Sequence, residues 1–542
     1  MQELAQAIKV AAKKLFDAGI EPELTRPDER FGDYATNAAL QLAKQAAKTP
    51  NEIAQQLIGQ LQNTPGIQEI SIAGPGFINF KLTDEALAKA AFAATELSKP
   101  NAGQEILVEF GDPNPFKEMH VGHLYTSILG DGISGLLEAS GATVQRLSYH
   151  GDIGLHVAKW LWAVNQQFGW DTEAASKALH EQSDKGIGHY YSLGAKAYEE
   201  DEQTKAEIDA INNQVYAHND AGLDRMYELG RNLSFDKFDK ILDLLSISYQ
   251  KRYLESQSAQ KGTEVVKQNV GKVFNESQGA VVYEGEKAGL HTRVFLTSRG
   301  LPTYEAKDLG LAEHSIIITA HEQAEYFKVM LAALAEIDKP TADKTTHLAH
   351  GFLSLSSGKM SSRGGNVYAA IDLLLEVKDA VHNQYPDSPV KKDTTIAAVK
   401  YAFLKHRLGS DIVFDVQESI SLEGNSGPYL QYAHARAQSI LSKAQGVDSR
   451  QQTADSLDAN ERSLARKIGE YPEIIQKAVS ELMPHHVANY LYELAQEFNR
   501  FYEKSRIIGD EREAQRLQLV QAYQQVLQSG LGILNIAAPE RI

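Results

Sequence analysis

The chain contains no cysteine among its 542 residues. Disulfide bonds, cysteine-ligated zinc sites and thiol catalysis are therefore excluded. Long apolar runs are missing as well, since no segment approaches the run of about 18 apolar residues that a membrane-spanning helix requires. The first residues, Met1–Lys9, are amphipathic and lack the apolar centre of a signal peptide. We therefore expect a cytoplasmic protein that does not bind membranes.

Basic residues are fewer than acidic residues. The chain has 54 Lys and Arg residues against 71 Asp and Glu residues, which gives a formal net charge of −17. Such a balance argues against a broad, nonspecific nucleic-acid surface, but it is compatible with a local basic and aromatic face. A chain of this length exceeds what one core can hold, so we expect about three or four domains.

One motif lies where doubly wound folds bind phosphate. His120-Val121-Gly122-His123 follows an apolar stretch, Ile106–Phe110, and a loop, Gly111–Pro115, and it precedes a helical pattern over about 124–137. Free backbone N–H groups and the helix dipole favour an anion at such a helix start. The glycine lets a nucleotide lie close to the backbone, and the two imidazoles can donate to its phosphate oxygens.

A second motif, Gly358-Lys359-Met360-Ser361-Ser362-Arg363, is a basic loop that can supply charge to a leaving pyrophosphate. Each motif alone is weak evidence. The first arises easily by chance, and histidines are more often structural than catalytic, while the second could be a solvated basic turn. Together and in this order, they indicate a Rossmann-type enzyme that forms an adenylate.

Residues 1–97 predict a small α/β domain. A helix at the start is followed by a second helical pattern from Ala38 to about Leu61. A strand pair is expected around Ile67–Ile72 and Phe77–Leu82, and Ser98–Gly103 has the composition of a linker.

Residues 104–393 predict a Rossmann-like α/β domain, because helical patterns separate the strand patterns as in a parallel sheet with crossover helices. A long polar stretch over about 160–240 predicts a helical insertion, for which the sequence suggests no function. Beyond the first strand, further strands are predicted at Thr143–Tyr149, Thr292–Thr297, Ser315–Thr319 and His347–Leu355.

Residues 394–542 predict an all-α bundle, because strand patterns vanish from about Thr394 onward. Apolar residues recur at helical spacing between Val487 and Phe501, which indicates an amphipathic helix.

Five further strings are narrower than the two motifs. They are Phe31-Gly32-Asp33-Tyr34-Ala35-Thr36-Asn37, Gly74-Pro75-Gly76-Phe77-Ile78-Asn79-Phe80, Tyr149-His150-Gly151-Asp152-Ile153-Gly154, Gly424-Asn425-Ser426-Gly427-Pro428-Tyr429-Leu430-Gln431-Tyr432-Ala433-His434-Ala435-Arg436 and Ala538-Pro539-Glu540-Arg541-Ile542. With them, the chain resembles the arginyl-tRNA synthetases, which are class I aminoacyl-tRNA synthetases, over essentially its whole length.

The resemblance implies a ligase that forms arginyl-adenylate from L-arginine and ATP and transfers arginine to the 3′-terminal adenosine of tRNA(Arg). AMP and pyrophosphate are released. It further implies that residues 1–97 form an additional tRNA-binding domain, that residues 394–542 form the anticodon-binding domain, and that the protein is a monomer. ATP would enter with Mg²⁺ bound mostly by phosphates and water, because the sequence has no obvious metal-ligand cluster.

For the nucleotide, the resemblance implies that His120 and His123 donate to phosphate oxygens and that Lys359 balances the charge of the polyphosphate. The common loop form, KMSKS, has a second lysine where this chain has Ser362. Lys117, three residues before the first motif, is typical of arginyl enzymes that lack that lysine, and we expect it to compensate. The remaining ATP contacts implied are Gly122, Met360, Ser361 and Arg363.

For the amino acid, a guanidinium calls for a carboxylate that can accept two hydrogen bonds. The resemblance assigns this role to Asp308, with Tyr304 on the same face of a helix and Glu255 as a second carboxylate. It assigns the α-amino and α-carboxyl groups of the substrate to Asn114 and Gln323, with Glu109 beside them.

For tRNA, three residues fall at i, i+3 and i+7, on one face of a helix. Rings and a guanidinium plane on such a face suit unstacked bases, although tyrosines at this spacing are also typical of a bundle core. The resemblance implies anticodon contacts by Tyr429, Tyr432 and Arg436, a further one by Ile542, and an elbow-loop contact by Asn79.

Three alternatives stay open on the residues alone: a small-metabolite adenylyltransferase, a class I synthetase for another amino acid, and a degenerate paralogue that only binds RNA. The first has no use for the two flanking domains. The second would lack the Tyr304 and Asp308 pair, and the third does not require an intact His120, His123 and Lys359.

Overall fold

The computed structural model describes residues 2–181, 186–311, 315–356, 358, 368–444 and 456–542. Within these ranges, none of the helices combines the length and the apolar character that a membrane crossing would need.

The amino-terminal domain packs its helices on an antiparallel sheet with the strand order β1-β2-β4-β3. Its elements are α1 (Gln2–Phe16), β1 (Leu24–Thr25), β2 (Tyr34–Thr36), α2 (Ala38–Ala46), α3 (Pro50–Leu61), β3 (Ile67–Ala73), β4 (Phe77–Leu82) and α4 (Asp84–Phe92). The predicted strand pair is confirmed. The single helix predicted from Ala38 is wrong, because Thr49 and Glu52 form a capping box that starts a new helix with Pro50 in its first turn.

The central domain is built on a parallel sheet with the strand order β12-β11-β5-β6-β7. Its elements are β5 (Glu105–Glu109), α5 (Val121–Ala139), β6 (Thr143–His150), α6 (Leu155–Phe168), α7 (Thr172–Glu181), α8 (Gly186–Glu200), α9 (Glu202–Ala217), α10 (Ala221–Leu244), β7 (Lys251–Leu254), α11 (Glu255–Gln268), β8 (Asn275–Ser277), β9 (Ala280–Tyr283), β10 (Arg293–Leu296), α12 (Tyr304–Leu311), β11 (Ser315–Ala320), α13 (Ala324–Ile337), α14 (Lys339–Lys344), β12 (Thr346–His350), β13 (Leu353–Leu355) and α15 (Ala370–Gln384). The Rossmann-like parallel sheet is confirmed, and the predicted insertion is helical in its described part.

Two strand predictions in this domain are wrong in detail. The strand predicted at Thr292–Thr297 exists as β10, but it belongs to a separate antiparallel sheet with β9 and β8. The tight turn at Gln278 and Gly279, both with positive φ, folds β8 back on β9 and closes this local sheet. The strand predicted at His347–Leu355 is two strands, β12 and β13, and only β12 joins the central sheet.

The carboxy-terminal domain is mainly a helical bundle. Its elements are α16 (Lys391–Leu404), β14 (Ile412–Phe414), α17 (Val416–Ile420), α18 (Gly427–Lys443), α19 (Ala459–Ile468), α20 (Tyr471–Glu481), α21 (His485–Lys504) and α22 (Glu513–Ile533). The amphipathic helix predicted around Val487–Phe501 is confirmed as α21, whose apolar face is buried. The expected absence of strands after Thr394 is wrong, because β14 pairs in parallel with β13.

An ionic interface joins the amino-terminal and carboxy-terminal domains. Arg462 of α19 contacts Asp33 at 2.6 Å and Asp84 at 2.5 Å, and Asp33 is only 2% exposed. Arg26 pairs with Glu473 of α20 at 2.8 Å, and the hydroxyl of Tyr34 donates to the same carboxylate. Asp33 and Tyr34 of the string Phe31–Asn37 therefore help to hold the amino-terminal domain against the carboxy-terminal domain.

Candidate active site

A cavity of about 440 Å³ opens where β5, β6 and β11 end and α5 begins. This is the edge at which a parallel sheet leaves room for a ligand. With the exception of Lys117, every described residue predicted for the nucleotide and arginine subsites lines this one cavity. These residues are Glu109, Asn114, His120, Gly122, His123, Glu255, Tyr304, Asp308 and Gln323.

The two histidines form the N-terminal cap of α5. The N–H groups of Gly122 and His123 donate to Nδ1 of His120 at 3.1 and 3.4 Å, and the N–H of His120 donates to Nδ1 of His123 at 3.3 Å. The two rings stack with their centroids 3.6 Å apart. Because each Nδ1 accepts, a neutral ring carries its proton on Nε2.

Burial keeps both imidazoles neutral. It lowers the pKa of His120 to about 4, with a further contribution from the charge of Lys117, and it lowers the pKa of His123 as well. At neutral pH each ring therefore offers one Nε2–H donor without a positive charge. Two oriented neutral donors at a helix N-terminus can bind a phosphate oxygen.

Three neighbouring carboxyl groups also line the cavity: Glu109, Asp112 and Asp308. The hydroxyl of Tyr326 donates to Asp308 at 2.6 Å, and the N–H of Tyr149 donates to Asp112 at 2.7 Å. Among the described residues, these three carboxyl groups have no salt-bridge partner. A buried acidic group without a counterion is suited to a cationic ligand.

Burial raises the pKa of each of these acids, and nearby negative charges raise it further. Burial is the larger cause at Asp308, whose pKa is raised to about 7, and at Asp112, whose pKa is raised to about 8. The pKa of Glu109 is raised by burial and then by the charges of the two aspartates. Binding a cation would favour the ionised forms and release protons.

Three predicted arginine contacts have surroundings that bear on their roles. Glu255 lines the cavity, but its carboxylate forms a buried ion pair with Lys307. Tyr304 begins α12 one turn before Asp308 and is 65% exposed, so its ring lies at the mouth of the cavity. Asn114 accepts a hydrogen bond from the N–H of Gly151 at 3.1 Å through Oδ1.

Lys117 does not line this cavity. Its ammonium lies 4.9 Å from the ring centre of Tyr191 in α8, and it borders a neighbouring cavity of about 370 Å³. Its charge nevertheless lowers the pKa of His120 and of His123, so the ammonium lies within electrostatic reach of both rings.

Four predicted ATP contacts, Lys359, Met360, Ser361 and Arg363, lie outside the described residues. The described chain on the carboxyl side of this segment is joined to the first motif. His120 forms a bridge with Ala369, and the N–H of Val121 donates to the carbonyl of Tyr368 at 3.1 Å. Residues 368–370 thus lie directly against the start of α5.

The predicted anticodon contacts lie together in the carboxy-terminal domain. Tyr432, Arg436 and Ile542 line one open cavity of about 700 Å³, and the guanidinium of Arg436 lies 4.3 Å from the ring centre of Tyr502. Tyr429 lies on the same helix, where its hydroxyl accepts from Asn499 at 2.8 Å. An exposed ring with an adjacent guanidinium is what an unstacked base can lie against.

Asn79 lies elsewhere, in β4 of the amino-terminal domain. Its side chain is only 6% exposed, and its neighbours in the sheet are Ala35 and Ser71. A contact with RNA would require this side chain to become more accessible than it is in this structure.

Sequence reasoning missed four residues of the site: Asp112, Tyr149, Lys307 and Tyr326. Asp112 lies in the loop Gly111–Pro115 before the first motif, and Tyr149 begins the string Tyr149–Gly154. Their positions in these segments were the sequence features that could have indicated a role in the site. Lys307 and Tyr326 meet their partners only through tertiary folding. Within the described ranges, no group of three or more His, Asp or Glu side chains could hold a metal ion.

Comparison with protein families covers nearly the whole chain. Residues 2–82 match the arginyl tRNA synthetase N terminal domain. Residues 86–416 match the catalytic domain of tRNA synthetases class I (R), and residues 430–542 match the DALR anticodon binding domain.

Individual proteins agree with these matches. The arginine–tRNA ligases of Limosilactobacillus reuteri and Shewanella pealeana are each 30% identical to this chain, with 100% and 97% of the chain and 99% and 96% of those proteins covered. The arginyl-tRNA synthetase of Thermus thermophilus has a similar structure, with 26% identity, a TM-score of 0.83 and 100% coverage of both chains. The chain belongs to the arginyl-tRNA synthetases, the class I ligases that attach arginine to tRNA(Arg).

Proposed function

We propose that the cavity at the start of α5 carries out both steps of arginine charging. The carboxylate of L-arginine attacks the α-phosphorus of ATP, and the bond to the bridging oxygen breaks so that pyrophosphate leaves. A ribose hydroxyl of the terminal adenosine of tRNA, the 2′-hydroxyl in this class, then attacks the carbonyl carbon, and AMP leaves. No base is needed in the first step, because the attacking carboxylate is already ionised.

One observation carries this proposal: two neutral imidazole donors and a group of acids without a salt-bridge partner among the described residues share one cavity. The donors suit a polyphosphate, and the acids suit a cation. Arginyl-adenylate formation requires both ligands to meet at one place, and the reacting carboxylate lies between the cationic end of arginine and the nucleotide.

For ATP, we propose that Nε2–H of His120 and of His123 donates to phosphate oxygens as charge shifts towards the leaving group. Gly122 keeps the backbone close to the nucleotide. Lys117 and Lys359 share the charge of the polyphosphate, with Met360, Ser361 and Arg363 as further contacts. The bridge between Ala369 and the first motif supports this arrangement, because the second motif ends a few residues before it.

For arginine, we propose that Asp308 pairs with the guanidinium and that Tyr304 lies beside it at the mouth. Glu255 acts as the second carboxylate, since its pair with Lys307 uses one carboxylate oxygen and leaves the other to accept. Asn114, Gln323 and Glu109 surround the α-amino and α-carboxyl groups.

For tRNA, we propose anticodon contacts by Tyr429, Tyr432, Arg436 and Ile542 and an elbow contact by Asn79. ATP enters as its Mg²⁺ complex, and the metal is held mainly by phosphate and water oxygens. The expectations of a monomer and of a cytoplasmic location stay predictions.

ATP–pyrophosphate exchange with each amino acid, with and without tRNA(Arg), tests the proposal. We expect exchange with arginine only, and weak exchange until tRNA(Arg) is added. Asp308→Asn should raise the KM for arginine by about 100-fold or more, because a charged bidentate pair contributes at least about 3 kcal/mol. The KM for ATP should change little. A variant that loses ATP affinity instead would contradict the assignment of the acids to arginine and of the histidines to ATP.

A further inference from the structure

The loop before the first motif is built into the core of the helical insertion. Phe116 is fully buried there, with its ring centre 5.3 Å from that of Trp160 and 5.6 Å from that of Tyr227. Its N–H donates to the hydroxyl of Ser234 in α10 at 2.9 Å. Its φ of +67° is one that a bulky side chain adopts only when its surroundings enforce it. The insertion therefore determines the path of the backbone into Lys117.

Helix α8 of the insertion also contacts the loop. A Cβ atom at Gly188 would lie 2.5 Å from the side chain of Glu118, so α8 packs on the loop as closely as a glycine permits. One turn further along α8, the ring of Tyr191 lies 4.9 Å from the ammonium of Lys117. The insertion thus contacts three consecutive residues of the loop, Phe116, Lys117 and Glu118.

The ring of Tyr191 lies close to the Lys117 charge. Lys117 makes no salt bridge with any residue that the structure describes, and burial lowers its pKa. An aromatic face attracts an ammonium without neutralising it, so the charge remains available to an anion. A carboxylate at the same place would compete with a phosphate for the lysine.

We propose that Tyr191 is a positioning residue for ATP binding. Its ring holds the Lys117 ammonium beside the first motif, and this contact gives the helical insertion a role in adenylate formation. This inference rests on the proposed role of Lys117. Tyr191 itself contacts neither the reacting atoms nor the cavity of the histidines.

The inference predicts a specific kinetic change. Tyr191→Leu removes the aromatic face and should raise the KM for ATP roughly two- to fivefold, the range expected for a partly exposed cation–π contact. The KM for arginine should stay unchanged. Tyr191→Phe keeps the ring and should behave as the wild type does.

Helix α8 offers a matched control. Tyr198 lies on the same helix, and its ring is 4.4 Å from the ammonium of a different lysine, Lys159. Tyr198→Leu removes the same kind of contact and should leave the KM for ATP unchanged. Melting temperatures of both leucine variants report whether the insertion stays folded.

The experiment is ATP–pyrophosphate exchange by the full-length enzyme with tRNA(Arg), in which ATP is varied at saturating arginine and arginine is varied at saturating ATP. Lys117→Ala and the double variant Tyr191→Leu/Lys117→Ala are included. We expect Lys117→Ala to raise the KM for ATP and the second substitution to add nothing. An unchanged KM for ATP in Lys117→Ala would overturn the role of Lys117 itself. If the role of Lys117 holds, three results would overturn the role of Tyr191 alone. Tyr191→Leu could leave the KM for ATP unchanged, or it could raise the KM for arginine as much as the KM for ATP. Its effect on the KM for ATP could also persist in the Lys117→Ala background.

Discussion

The affinity for arginine should fall when the pH is lowered through neutrality. Asp308 has a pKa of about 7 in the free enzyme because it is buried near other acids. Pairing with a guanidinium requires the ionised carboxylate, since a guanidinium has no acceptor and stays charged at these pH values. Arginine must therefore compete with a proton for Asp308.

The size of the effect follows from this pKa. The ionised fraction of Asp308 is roughly one tenth at pH 6 and nine tenths at pH 8, so the Kd for arginine should be about tenfold higher at pH 6, or about 1.4 kcal/mol. Asp112, with a pKa raised to about 8 by burial, acts in the same direction. Tenfold is therefore a lower bound if both acids ionise on binding.

Isothermal titration calorimetry of arginine into the complex with tRNA(Arg) measures this effect. Titrations at pH 7 in two buffers with different ionisation enthalpies also count the protons released. We expect about half a proton from Asp308, because the group is half protonated at its own pKa.

Asp308→Asn is the control, since it removes the titrating group and should remove its share of the pH dependence. A wild-type Kd that is the same at pH 6 and pH 8, with no proton release, would refute the reasoning. It would mean that the carboxyl groups are already ionised in the free enzyme.

Two further predictions follow from named contacts. Tyr326→Phe removes the 2.6 Å hydrogen bond to Asp308, so the pKa of this acid should rise further. The KM for arginine should then rise about sevenfold at pH 7, given about 1.5 kcal/mol for a bond to a charged group and an acid that is already half protonated at this pH. The rise should be smaller at pH 8.5, and an equal rise at both pH values would contradict this cause. Arg462→Ala leaves two acids of the domain interface without their main partner and should lower the free energy of unfolding by about 3 kcal/mol in denaturant titrations. Arg30→Ala, at an exposed arginine, should leave the free energy of unfolding almost unchanged. Equal losses in the two variants would show that the interface contacts of Arg462 add no more stability than an exposed ion pair.

The nucleotide end of the site could be predicted from the sequence because its geometry is local. The first strand of the central sheet, the loop after it and the first turn of α5 lie within about twenty residues, and they position His120 and His123. The side chains that cap α5 belong to the motif itself. The acids are different. Asp308 was identified through the resemblance alone, because nothing in an eight-residue helix distinguishes a buried specificity acid from a solvated one.

Partners that are distant in sequence could not be found by pattern at all. Lys307 neutralises Glu255 across 52 residues, and Tyr326 reaches Asp308 only after the chain has passed through β11. The three-residue strands β13 and β14 are too short for a pattern that repeats every two residues to stand out. Their pairing is an exception to the absence of strands expected after Thr394, while the predicted helical bundle is confirmed.

Helix α5 connects the site to the end of the chain. At its start, residues 368–370 lie against the first motif. At its other half, Gly135 leaves room for the carbonyl of Ile533, and the side chain of Asn535 donates to the carbonyl of Asp131 at 2.9 Å. The buried ammonium of Lys400 joins the Asp131 carboxylate to the carbonyl of Asn535.

The last residues therefore serve the catalytic domain as well as the proposed anticodon surface. Carbonyls of Ala537 and Pro539 accept from Gln431 and His434 of α18, so the same tail also holds the helix that carries the proposed RNA contacts. A truncation that removes the tail would disturb α5, α18 and Ile542 together, and a loss of charging activity could not be attributed to any one of them. Replacing the Ile542 side chain alone removes none of these hydrogen bonds, so that variant reports what this side chain contributes to tRNA binding.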